Sequence, residues 1–177
     1  MLEMLEVSIA TFSLMVLAAL AWLYGAAREL SELRHACDEA WANVERLLRR
    51  RDETLGPFLA LCEGSLGDGA EGLRALAASR ARLASAPTTE ARAQASSELS
   101  VALGRVLEVA LKRPTLPEGF PELKARLEEL EEQLADWIGS YDAAAQRWNA
   151  RLVKLPESLV ARLEKARPRD RWTARAT

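Results

Sequence analysis

Few residues in this chain are of types that do chemistry. His35, Cys37 and Asp38 stand close together, Cys62 follows, and Arg49-Arg50-Arg51 forms a block of three guanidinium groups. An imidazole near a thiol suggests an activated nucleophile, which needs a base held close and a cleft to work in. On a helix, residues two apart point to different sides, so His35 and Cys37 do not make such a pair. A zinc site wants three or four closely spaced Cys/His ligands. One histidine and two cysteines cannot supply it alone. The stretch GSLGDGAEG, residues 64–72, lacks the GK[ST] ending of a phosphate loop and follows no strand. The expectation is a non-enzymatic protein with no catalytic residues, no cofactor and no metal ligands.

The arginine block has two readings. On a helix its three side chains fan over most of a turn, so at least one leans inward. It is either an anion or lipid-headgroup site, or it pairs internally with acids such as Glu128, Glu129, Glu131 and Glu132. If a membrane span ends at Ala27, Arg49 lies about 33 Å along a straight helix. That is several Debye lengths from the bilayer at physiological salt, so internal pairing is preferred. Trp41, Tyr141 and Trp148 could line a ligand cage, but aromatics at helical spacing are far more often core. Asn43 and Asn149 stand beside aromatics and are candidates for inter-helix hydrogen bonds that set register. The ending RPRDRWTARAT, with four arginines and one tryptophan, could grip anionic lipid or an acidic partner; composition favours a disordered end.

The elements that must carry these residues are helices. Leu, Ala, Glu and Arg dominate the 177 residues, and no strand-like alternation of useful length is present. Leu30, Leu33, Cys37, Trp41, Val44, Leu48, Leu55, Phe58 and Cys62 step by threes and fours, with Arg51 filling one slot. Pro57 can kink this helix or shift its register. A second helix is expected from about Ala70 to Ala86, and a third, capped by Thr88 or Thr89, to Arg113-Pro114. KRPTLPEGFP is the clearest linker. A long helix then carries Leu123, Leu127, Leu130, Leu134, Ile138 or Trp137, Tyr141, Ala145, Trp148 and Leu152, and Pro156 ends it. Narrow apolar seams must bury one another, so the fold class is all-α: an antiparallel bundle of three to four long helices.

The N-terminus carries the strongest signal. Residues 7–27, VSIATFSLMVLAALAWLYGAA, hold no charge, and roughly 20 apolar residues suffice to span a bilayer. MLEMLE lacks the basic start of a signal peptide, and Trp22 and Tyr24 suit the headgroup zone. Arg28, Arg34, Arg46 and the Arg49–Arg51 block all follow the run, and no Lys or Arg precedes it. The positive-inside rule then puts the N-terminus out and the C-terminal domain in the cytoplasm, where Cys37 and Cys62 stay free thiols. The expected organisation is a short segment 1–6, a transmembrane helix 7–27, a helical bundle 28–161 and a basic tail 162–177. The 24 Lys+Arg against 26 Asp+Glu argue against nucleic acid as a partner.

The apolar helix is followed by Ala40-Trp41-Ala42-Asn43-Val44-Glu45 and Leu48-Arg49-Arg50-Arg51. Leu103-Gly104-Arg105-Val106-Leu107 and Arg113-Pro114 come next. Tyr141-Asp142-Ala143-Ala144, Trp148-Asn149, Pro156 and Leu159-Val160-Ala161 close the series, which covers about residues 7 to 161. Taken in order, these residues resemble the LemA family. Departures include Pro57 one position after the family's usual proline, Asp142 in place of asparagine, Trp148 in place of tyrosine, and the ending around Trp172. The resemblance implies a bundle with one pass through a bacterial inner membrane and no catalytic residues. Its motif positions, taken as structural, are Trp41, Asn43, Arg49, Arg50, Arg51, Arg105, Tyr141, Trp148, Asn149 and Pro156. The partners expected are the lipid bilayer through residues 7–27, an unidentified protein, and further copies of the chain. A lipid-surface sensor or remodeller, using amphipathic faces and arginine clusters, is the competing expectation.

Overall fold

The computed structural model describes residues 2–64 and 70–172. Residues 65–69 of the glycine-rich stretch and 173–177 of the tail lie outside the described residues. Five α-helices follow one another: α1 (Leu2–Glu63), α2 (Ala70–Ser85), α3 (Thr89–Leu111), α4 (Phe120–Arg151) and α5 (Glu157–Leu163). No strand occurs among the described residues, and the fold is the all-α bundle expected.

Helix α1 runs unbroken through Pro57, although proline removes one ladder donor. Phe58 and Cys62 beyond it are fully buried, so the apolar seam keeps its register past the imino acid. Between α2 and α3 the Pro87 break is a true loop. Thr88 caps α3, its hydroxyl accepting from the Ala91 N–H at 3.1 Å. Helix α4 begins after Gly119, whose φ of +83° is a left-handed value that favours glycine. It stops at Arg151, short of Pro156, which instead occupies the N-cap position of α5.

The chain divides into two compact units. The larger holds residues 39–142 and 170–177. Its core draws on all four long helices, with Leu55, Phe58 and Cys62 from α1, Leu73 and Leu76 from α2, Leu99, Leu103 and Val106 from α3, and Phe120 and Leu127 from α4. Pairwise contacts fix the directions. Glu45 meets Arg92 and Arg51 meets Ser96, so α3 runs parallel to α1. Asp52 meets Arg80 in α2. A side chain at Gly72 would lie against Val106, whereas Arg82 pairs with Glu98, so α2 opposes α3. Phe58 faces Phe120 with ring centroids 5.7 Å apart, whereas Trp41 faces Tyr141, so α4 opposes α1. This is up-down-up-down topology with short connections. At the ambiguous step of the α4 seam, Ile138 is the half-buried residue and Trp137 the exposed one.

The smaller unit holds residues 1–38 and 143–169. Ala26, Leu30 and Cys37 of α1 pack with Ala144 and Trp148 of α4 and Val160 and Ala161 of α5. Leu23, Ala27, Leu33, Leu152 and Ala166 add partly buried cover.

Candidate functional site

The arginine block separates into unlike residues. Arg49 and Arg50 are exposed, and Arg51 is 1 % exposed. Seam position and helix geometry decide this: Arg51 follows Val44 and Leu47 on the buried face. Its guanidinium donates to Ser96 Oγ at 3.1 Å and to Ser100 Oγ at 2.8 Å. It forms an ion pair with Glu131 at 2.5 Å. Ser100 Oγ in turn donates to the other Glu131 oxygen at 2.8 Å. Arg51 Nε is buried without a hydrogen-bond partner. Burial pushes the Arg51 guanidinium below its usual pKa, and Glu131 pulls it part of the way back. Internal pairing thus holds for Arg51 alone, with Glu131 as the acid, while Arg49 and Arg50 stay at the surface. Ser96 and Ser100 were missed, although two serines four apart on a Leu/Ala face are a legible sign of a polar guest.

Arg49 borders an open groove of about 350 Å³ together with Leu48, Asp52, Arg80 and Arg92. The Arg80–Asp52 and Arg92–Glu45 pairs line it, so its arginines are largely matched by carboxylates. Arg105 lies on a second groove, of about 450 Å³, between α2 and α3 with Ser79, Arg82, Glu98 and Val101.

Trp41, Tyr141, Trp148 and Trp172 pack against neighbouring side chains. In the larger unit Trp41 stacks obliquely on Tyr141 (centroids 5.2 Å) and on Trp172 (5.9 Å). Tyr141 donates to the Asp170 carbonyl at 2.8 Å, and Asp142 accepts from the Trp172 N–H at 2.6 Å. In the smaller unit Trp148, 2 % exposed, lies under Arg34 and donates its Nε1–H to the Arg167 carbonyl at 2.9 Å. Asn149 makes a two-way clasp with Arg169, donating to its carbonyl and accepting from its N–H, both at 2.8 Å.

These bonds correct two expectations. Asn43 does not bridge helices: it donates to the Glu39 carbonyl and accepts from Arg46, both within α1. Asn149 holds the tail rather than another helix. The described tail residues are held in place rather than left as solvated chain: Trp172 is 5 % exposed, and side chains 19 to 30 positions earlier satisfy their backbone.

His35, Cys37 and Asp38 lie in unlike surroundings. His35 and Asp38 are exposed and Cys37 is fully buried. Asp38 pairs with Arg169 at 2.6 Å. Burial pushes the Cys37 thiol pKa up against the pull of Arg169, and pushes Cys62 up to about 11. Both cysteines are free. Among the described residues no group of three His, Cys, Asp or Glu side chains is placed to hold a metal ion.

Among the described residues the apolar run of α1 is left uncovered. Its most apolar window has a mean hydropathy of 2.0, and none of that window is buried. Phe12, Leu14, Met15 and Leu17 are each more than 60 % exposed. The fold and this run define an α-helical bundle protein whose first helix is long and apolar enough to cross a membrane. The chain belongs to the LemA family, whose sequence model matches residues 40–177. The match begins beyond the apolar run and includes the tail, further toward the C-terminus than the motifs that end at Ala161. Among curated proteins none matches the chain.

Proposed function

We propose that this chain is a non-enzymatic, single-pass membrane protein whose helical bundle serves as a scaffold at the inner membrane. It binds a protein partner or further copies of itself. One observation carries the proposal: the uncovered apolar run and the start of the family-matched bundle lie on the same unbroken helix, α1. A helix apolar on every face belongs in a large core or a bilayer, and none of its most apolar window is buried. Arg28, Arg34 and Arg46 follow the run, which supports an N-terminus outside and a cytoplasmic bundle. An open, charge-balanced groove and two buried thiols support binding over chemistry.

The test uses the full chain. Alkaline carbonate should leave it in the membrane pellet, and a cysteine placed at Glu3, ahead of the span, should react with an impermeant maleimide only from outside. In nanodiscs, chemical cross-linking should trap a discrete oligomer or a stoichiometric partner. Extraction by carbonate would overturn the anchor. A lone monomer that deforms anionic vesicles would favour the lipid-sensor reading, which the exposure of Arg49 and Arg50 supports.

A further inference from the structure

We propose that the corner joining α4 to α5 is a second membrane contact, seated in the headgroup zone beside the point where α1 leaves the bilayer. The proposal rests on the reading of residues 7–27 as the span, and it lies wholly within the smaller unit.

Three contacts set the depth of the corner. Arg151, the last residue of α4, pairs with Glu29 at 2.6 Å. Leu152 packs in the same cluster as Leu23, Ala26 and Ala27. Beyond the turn, Glu164 pairs with Arg34 at 2.7 Å. Helix α4 therefore descends along α1, turns at residues 152–156 level with the last turn of the apolar run, and α5 climbs back. Glu29 is two residues past Ala27, about 3 Å along the helix.

The side chains at that turn suit lipid rather than water. Val153 is 80 % exposed, Leu155 68 % and Leu159 43 %. Lys154 and Arg162 are exposed among them. On α1 at the same level, Trp22 and Tyr24 are also exposed, which is where an aromatic belt marks the interface. A cluster of exposed apolar residues marks an interaction surface. Apolar tips with basic neighbours are the composition of segments that lie in the interface of an anionic bilayer. The bilayer is the occupant because this patch is continuous with the end of the span.

The test places nitroxide labels on the full chain in nanodiscs of phosphatidylethanolamine and phosphatidylglycerol. Leu155→Cys reports the corner, Val153→Cys repeats it, Phe12→Cys reports the span and Ser97→Cys reports water. The unlabelled wild-type chain, whose own thiols are buried, gives the background. Collision with oxygen should rise, and collision with a water-soluble nickel chelate fall several-fold, at 155 and 153 relative to 97. Chelate access at 155 and 153 equal to that at 97, with 12 protected, overturns the corner contact and leaves the span standing. Chelate access at 12 overturns the span and the corner with it. Protection at the corner from both reagents would mean burial against protein and overturns lipid as the occupant.

Discussion

The Arg51 side chain is 1 % exposed and that of Glu131 29 %, so the two ends of this ion pair are not equivalent. Removing Glu131 strands a dry guanidinium, whereas removing Arg51 leaves a carboxylate with one oxygen buried on a side chain that is part exposed. Breaking a buried pair by deleting one partner costs about 3–5 kcal/mol. Glu131→Ala should fall in that range, and Arg51→Met, which fills the space with apolar atoms, well below it. Denaturant unfolding of both variants and of the double variant checks this, and equal costs would contradict it. The thiols give a pH dependence. Burial raises Cys62 from the ordinary value of 9.0 to about 11, so folding favours the protonated form. That contribution is complete below pH 9 and is lost as pH rises toward 11. Cys62→Ala should flatten the alkaline fall in Tm across this window. The inward lean of one arginine was legible because it falls on an apolar seam. Which of four glutamates meets it was not, because the register between distant helices is not written in either helix alone.

At the scale of elements, the helices were legible from periodicity and the start of α3 from cap chemistry, whereas α4 ends at Arg151, short of the expected Pro156. Thr88, one of the two threonines expected to cap α3, is the cap. The tail was not legible. Its arginines and proline read as solvated chain, and the groups that order it, Asn149, Tyr141 and Asp142, precede the residues they hold by 20 to 30 positions. Local composition cannot reveal so remote a hold. Two substitutions separate propensity from capping. Gly139 lies mid-helix in α4 with nothing within 4 Å of where a Cβ would stand. Gly139→Ala should stabilise by about 0.5–1 kcal/mol. Thr88→Ala should destabilise by about 1 kcal/mol through loss of the Ala91 bond. Chemical denaturation reads both, and a destabilising Gly139→Ala would mean that the face of α4 is covered.

For the whole molecule, the tail is the prediction with the largest reach. Residues up to 169 count in the smaller unit and those from 170 in the larger. Ending the chain after Lys165 should uncover Trp148 in one unit and the Trp41–Tyr141 pair in the other. Two unfolding probes, tryptophan emission and helical ellipticity, should both shift to lower temperature. A full-length Tm would show that the tail contributes nothing. The Arg51–Glu131 pair has a different consequence within the larger unit. A core of leucine and alanine alone tolerates sliding, since one aliphatic contact resembles the next. Moving α4 by a single turn would carry Glu131 about 5.4 Å from its partner and leave a cation facing hydrocarbon. The pair thus acts as a detent: it excludes the near-miss alignments that a repetitive sequence would otherwise sample.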